Sequence, residues 1–264
     1  MAQTNADFRV VIVANEDPEC DLPVDARLEV ARVSFPPPNL PVGVPVTTDA
    51  MYADKGAKLG VGTAIAVRAA ADYVMFVDSD DYISREIAAF VARAQGEPGW
   101  YSDSGYYHVR GSRTVTPVFG DFHQRNGSTH ILRTDLIGVP ADVDPARDRE
   151  DVIDRIGRLR VRSLMGDHKW IVSYFADMGE PLAKLPFPAA IWEIGNGENF
   201  SQVLVKAGTK EPVAGAVAAE FGLRVPSRAA ALHGSLSNVR SRVSTKVARR
   251  FESMEEQRDR LQGG

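Results

Sequence analysis

Cysteine is almost missing from this chain. One residue, Cys20, in 264 excludes an intrachain disulfide and a thiolate metal cage, since either needs more than one sulfur, and such sparing use fits a reducing cytoplasm. Long apolar runs are lacking as well. No stretch approaches the ~20 apolar residues of a spanning helix, and Met1 to Arg9 has no apolar core of the signal-peptide kind. Basic excess is absent too, because 31 Lys and Arg face 35 Asp and Glu for a net charge of −4, which argues against nucleic acid as the main partner. Without a secretory leader, the sequons Asn126-Gly127-Ser128 and Asn199-Phe200-Ser201 carry no expectation of glycosylation. No repeat or low-complexity segment stands out. What is present is a chain 44% hydrophobic and 25% charged, enough for a large core and for one α/β domain with a C-terminal extension.

The run Tyr73-Val74-Met75-Phe76-Val77 leads directly into Asp78-Ser79-Asp80-Asp81. Five apolar residues without a polar break predict a strand covered on both faces in a parallel-type sheet, with three carboxylates at its carboxyl end, where open α/β sheets gather ligands. Three like charges so close raise one another's pKa values unless a cation or a set of donors compensates. Hard carboxylate oxygens suit Mg²⁺ or Mn²⁺, which takes one or two protein carboxylates and completes its shell with water and phosphate. The plain alternative is turn chemistry, with Asp and Ser as turn formers and Ser84 as N-cap of a helix through Ile87, Phe90 and Val91.

Phe8 to Ala14 predicts the first strand, ending in Asn15-Glu16-Asp17, and Leu28 to Phe35 a second. The proline-rich stretch Pro36 to Pro41 is a rigid loop. Asp54 to Ala71 reads as a helix packed through Leu59, Ala66 and Ala70, with Lys55 and Lys58 at its start, where a helix dipole disfavours cations unless they are solvated or meet an anion. Gly60-Val61-Gly62 is not a dinucleotide fingerprint, since no strand precedes it and position 65 is Ile.

Strand, lysine-bearing helix, and then Asp72 through Asp81 in this order resemble the nucleotide-binding half of family 2 glycosyltransferases of the GT-A fold, whose signature at this place is D-x-D or D-x-D-D. The resemblance covers about the first hundred residues and continues more loosely to about Ser201. It implies an α/β architecture of GT-A type, a Rossmann-like mixed sheet flanked by helices, with residues 1–100 as nucleotide-binding half, 101–201 as acceptor half and 202–264 as a helical C-terminal extension. It also implies a nucleotide-diphosphate sugar donor, a UDP-sugar foremost, held with Mn²⁺ or Mg²⁺ by Asp80 and Asp78. Asn15, Glu16, Asp17, Lys55, Lys58, Asp78 and Ser79 would contact the donor. Gly127 to Asp135 resembles the segment bordering the donor sugar. Asp167, in Gly166-Asp167-His168, stands where the family keeps the acid that deprotonates the acceptor hydroxyl, and His168 would share that role or bind metal. Family members usually carry Glu-Asp there. The residues alone read Asp167 as an N-cap for a helix through Ile171, Tyr174 and Phe175.

The aromatic runs Trp100-Tyr101 and Tyr106-Tyr107-His108, with Gly111-Ser112-Arg113 between runs, predict short strands or a hairpin whose rings serve the core or a sugar platform. Asp142 to Arg162 alternates acids and bases and predicts a solvated helix or mobile loop. Leu185 to Trp192 predicts a strand. The following loop ends in Asn199-Phe200-Ser201; related loops that fold over the diphosphate carry a His that this one lacks. Leu236, Val239, Val243, Val247, Phe251 and Met254 form one apolar face of a long helix with basic flanks. Packing on the domain or a second subunit competes there with contact to an anionic membrane surface. The expected activity is metal-dependent transfer of a sugar to a saccharide or other hydroxyl acceptor, with inversion. A phosphohydrolase using Asp78 as nucleophile and a non-catalytic nucleotide-sugar-binding protein are the alternatives.

Overall fold

The computed structural model describes residues 2–38, 47–94, 96–194, 210–213 and 215–224. The loop Asn199-Phe200-Ser201 and the apolar helix from Leu236 to Met254 lie outside the described residues. The protein is mixed α/β and divides into two compact units. Residues up to 106 with 118–192 form the larger, and 107–117 with the described residues beyond 192 the smaller.

In the larger unit β1 (Val10–Ala14) pairs in parallel with β2 (Leu28–Arg32). Helix α1 (Thr48–Arg68) follows. Its N-cap is Thr47, whose hydroxyl accepts from the Ala50 amide at 3.2 Å, with Asp49 in the first turn. The helix therefore begins six residues before the expected start at Asp54. Lys55 and Lys58 sit inside it, past the reach of an N-terminal dipole. Of the expected packing residues Leu59 packs partly buried on the core, Ala66 is half-buried and Ala70 is exposed, and the fully covered face runs through Ala57, Val61, Ala64 and Ile65. Gly60 and Gly62 lie within α1, as expected of residues that are not a dinucleotide loop. Ala70, at φ 52°, turns the chain out of the helix in the left-handed conformation usually given to glycine.

Strand β3 (Tyr73–Met75) stops two residues short of Val77, which is 39% exposed. It lies at the edge of a four-stranded sheet and pairs antiparallel with β8 (His130–Arg133), so the parallel setting is corrected. An unbroken apolar run signals burial and is silent on the direction of the neighbouring strand. After the acid turn come β4 (Tyr82–Ile83) and α2 (Ile87–Arg93). The Ser84 hydroxyl accepts from the Glu86 amide at 3.1 Å, just ahead of α2. β5 (Gly99–Tyr101) pairs antiparallel with β8 and parallel with β9 (Ala183–Lys184), which makes this sheet mixed.

β6 (Gly105–Val109) and β7 (Thr114–Val118) form the expected hairpin, turning through Gly111 at φ 80°. Then follow α3 (Phe122–Arg125), α4 (Thr134–Ile137), α5 (Arg149–Ile156) and the short α6 (Arg158–Arg160). The charged segment is thus partly a helix, and it is not simply solvated: Val152, Ile153 and Ile156 are buried against α1. A π-helical turn, Val161–Gly166, runs into a 3₁₀ turn, His168–Trp170, and then α7 (Ile171–Asp177). β10 (Ala190–Ile194) pairs antiparallel with β4 through Ala190 and Ile191. In the smaller unit β11 (Glu211–Pro212) pairs antiparallel with β7, and α8 (Ala216–Phe221) follows.

Two apolar clusters hold the larger unit. One surrounds α1 and joins Val61, Ala64 and Ile65 to Ile156, Leu164, Met165, Ile171 and Phe175. The other gathers Ile87, Ile131, Leu185 and Ala189 around Trp100, so that ring belongs to the core. No described helix is long and apolar enough to cross a membrane.

Candidate functional site

The acid turn is fixed from the facing segment Asn126–Ser128. The Asp78 amide donates to Ser128 Oγ at 2.8 Å, and that hydroxyl donates to Asp81 Oδ2 at 2.7 Å. Asn126 Nδ2 donates to the same Asp81 oxygen at 2.6 Å, while Asn126 Oδ1 accepts from the Ser128 amide at 2.8 Å, an Asx turn that aims the hydroxyl. Asn126 is buried and its amide engaged, consistent with a sequon that serves the fold. Burial pushes the Asp81 carboxyl up to about 7; the bonds from Ser128 and Asn126 oppose this, and the charges of Asp78 and Asp80 add to it. Asp81 Oδ1 is buried with no hydrogen-bond partner among the described residues.

Lys55 reaches the turn from α1. Its Nζ donates to Asp78 Oδ1 at 2.5 Å, so the lysine does meet an anion, one supplied by the protein. Lys58 goes elsewhere: it pairs with Asp54 at 2.7 Å, and Arg149 holds the other oxygen of that buried carboxylate at 3.0 Å. Asn15 donates to the Phe35 carbonyl at 2.7 Å, and Asp17 pairs with Arg32, so two members of the first loop are tied toward β2. Glu16 and Ser79 are exposed.

The third arrival is the turn carrying Asp167 and His168. Its approach depends on missing side chains. A Cβ on Gly56 would lie 2.6 Å from Val161 Cγ1 and 2.8 Å from Val161 O, one on Gly60 2.2 Å from Ile156 Cδ1, and one on Gly166 2.8 Å from Tyr52 O. Helix α1 and the π turn thus touch backbone to backbone, which brings residue 168 beside residue 55. Gly127 marks the meeting point, because a Cβ there would lie 3.2 Å from Asp78 Oδ2, 3.3 Å from Lys55 Nζ and 3.5 Å from His168 Nδ1. Asp167 is half-buried and caps the 3₁₀ turn, Oδ1 accepting from the Lys169 amide at 3.2 Å. The capping role expected from the residues alone is thus met one element early: the helix through Ile171, Tyr174 and Phe175 has Trp170 at its own N-cap, without a side-chain cap.

Behind His168 stand two more histidines, His130 at 6.5 Å and His123 a further 6.3 Å on, by ring centroids. Burial, then Lys55, holds His168 down at about 4 against Asp78 and Asp167. His130 is lowered well below its ordinary value by burial and then by its two histidine neighbours, and His123 is lowered by burial. Thr129 Oγ1 donates its one proton to the Asn126 carbonyl at 2.8 Å, so the 3.1 Å contact to His130 Nδ1 has the ring as donor. His130 Nε2 is then a bare acceptor, buried without a partner among the described residues.

The sequence pointed to Asp78, Lys55 and His168, which the fold brings together. It placed Ser128 and His130 only within the segment expected to border the donor sugar, and it gave Asn126 and His123 no part in the site. The Asn-Gly-Ser turn signature was the available sign for Asn126 and Ser128; a pairing across some fifty positions leaves no local trace. Among the described residues no three His, Cys, Asp or Glu side chains are grouped to hold a metal ion. A magnesium-type ion needs only one or two protein carboxylates; of the two expected to hold it, Asp78 has Oδ1 on Lys55 Nζ at 2.5 Å, so an ion of that kind would use its other oxygen, Oδ2, which faces Gly127.

Comparison with models of protein families and with curated proteins gives no match for this chain.

Proposed function

We propose that the protein is a glycosyltransferase of GT-A type that moves a sugar from a nucleotide-diphosphate donor, a UDP-sugar foremost, to a hydroxyl acceptor with inversion. The observation that carries this reading is the convergence of Asp78, Lys55 and His168 on Gly127, because it sets the Asp167 turn against the acid turn in one place. Asp78 and Asp80 would hold Mn²⁺ or Mg²⁺, whose charge stabilises a departing diphosphate. Lys55 adds a fixed positive charge beside Asp78 for the same phosphates. Asn15, Glu16, Asp17 and Ser79 are the remaining donor contacts of this reading; Lys58, committed to Asp54, is the weakest of the set. The acceptor oxygen attacks the anomeric carbon as its bond to the phosphate oxygen breaks. The electron pair leaves with the diphosphate and the hydroxyl proton passes to Asp167. His168, held near 4, is neutral at pH 7 and serves as a hydrogen-bonding group there.

The test is thermal unfolding of the purified chain against a panel of nucleotide sugars with and without Mn²⁺. A true donor at about a hundred times its Kd should raise the midpoint by roughly 5 °C, only with the metal, and Asp80→Ala should abolish the shift. No shift with any nucleotide sugar, or an unchanged shift in Asp80→Ala, overturns the proposal. Slow release of nucleoside diphosphate from the bound donor then separates a transferase from a protein that only binds. Release of phosphate from a phosphomonoester would instead mark a phosphohydrolase.

A further inference from the structure

Two lysines of α1 meet carboxylates in opposite ways. Lys58 shares Asp54 with Arg149 in a closed group whose carboxylate side chain is only 11% exposed. Lys55 pairs with Asp78 where the two side chains remain 34% and 36% exposed. An ion pair this open adds little to stability, so its partners part readily. The backbone under the lysine cannot follow, because at Gly56, the next residue, α1 lies against the Val161 backbone with no room for a methyl group. Only the four-carbon stem is free to turn.

Asp78 is also a carboxylate on which a divalent ion would sit, through Oδ2. That oxygen and Lys55 Nζ stand 3.2 and 3.3 Å from one point, the Cβ that Gly127 lacks, so a cation arriving at Oδ2 arrives beside an ammonium. Like charges this close repel, and partial burial leaves them poorly screened. The ammonium's field already crosses the same point: next to burial, it is what lowers His168. A diphosphate reverses the balance, because its oxygens accept from the ammonium and ligate the ion together. Lys55 then turns off Asp78 Oδ1, and the carboxylate is released to the ion.

We infer that Lys55 is a stand-in cation, which keeps a divalent ion off the acid turn of the nucleotide-free protein and admits it only in company with a diphosphate. This rests on the transferase reading above and adds to it the form in which the metal arrives.

The test is isothermal titration of the full chain, with Mn²⁺ alone and with UDP, or GDP in a parallel series, in saturating Mn²⁺. In the unmodified chain Mn²⁺ alone should bind weakly, and UDP should bind about tenfold or more tightly with Mn²⁺ than without it, each ligand strengthening the other by the same factor. Lys55→Gln should move the two affinities in opposite directions, Mn²⁺ alone gaining about tenfold and UDP with Mn²⁺ losing about tenfold. Lys55→Arg, which keeps the charge, should leave Mn²⁺ alone weak, and Asp80→Ala added to Lys55→Gln should remove the gain. Lys55→Met serves in place of Lys55→Gln if the latter does not fold. Both affinities falling together in Lys55→Gln would make the lysine a structural support and overturn the inference. Tight binding of Mn²⁺ alone to the unmodified chain overturns it too, as does Mn²⁺ binding that Lys55→Gln leaves unchanged or a gain that survives Asp80→Ala. If neither UDP nor GDP binds the unmodified chain with Mn²⁺, the transferase reading falls and this inference with it.

Discussion

At Gly127 a single methyl group would press on three side chains at once, Asp78, Lys55 and His168, at 3.2 to 3.5 Å. All three contacts are with movable side-chain atoms, so Gly127→Ala should fold with a melting temperature close to that of the unmodified chain. The same few tenths of an ångström should matter to chemistry, where small misplacements of reacting groups cost about tenfold or more. The expectation is loss of donor hydrolysis with retained stability, read by paired activity and melting measurements; full activity would show that Gly127 does not border the reacting groups. Sequence reasoning reached Asp78 through the apolar run before it and Lys55 through its place ahead of an Ala-rich stretch. It could not pair them. It also missed the cap at Thr47, although Thr47-Thr48-Asp49 carries the usual marks of a helix start, and so it set the lysines at a helix terminus they do not occupy.

Among the elements, the π turn Val161–Gly166 and α1 decide whether the site forms at all. Gly to Ala inside a helix ordinarily stabilises by about 1 kcal/mol. At Gly56 the added methyl would meet the Val161 carbonyl at 2.8 Å, and backbone cannot swing aside as a side-chain tip can. Overpacking of this kind costs about 1–3 kcal/mol, so the clash should outweigh the propensity gain. Gly56→Ala is expected to melt at lower temperature and to lose activity together with stability, because the turn bearing Asp167 and His168 is pushed off α1. A variant that melts higher and keeps its activity would contradict the backbone contact. The strands from Val10 and from Leu28 were legible from apolar runs. The edge position and antiparallel partner of β3 were not, because they depend on β8, which lies more than fifty residues away.

For the molecule as a whole, the buried histidines tie stability to acid. His123, His130 and His168 are all held below their ordinary values, so in the window below about 6.5 the unfolded chain binds protons that the folded chain refuses. Their contribution is fully present above that pH and is lost as pH falls toward about 4, the value for His168. Asp81 acts in the opposite sense. With its carboxyl raised to about 7, its contribution is complete below the ordinary carboxylate range and is lost as pH rises through 7. Because the two slopes oppose, the informative comparison is between variants: His130→Phe should show a shallower fall in melting temperature from pH 7 to pH 5 than the unmodified chain. Parallel curves would mean that His130 takes up its proton without unfolding cost. Ser128 bears on how any ligand is received. One hydroxyl accepts from the Asp78 amide and donates to Asp81, so both ends of the acid loop are already anchored to the opposite wall. Ordering a mobile side chain on association costs about 0.5–1.5 kcal/mol; here that ordering is done during folding, and capture should run at the pace of diffusion and charge attraction without a slow closing step.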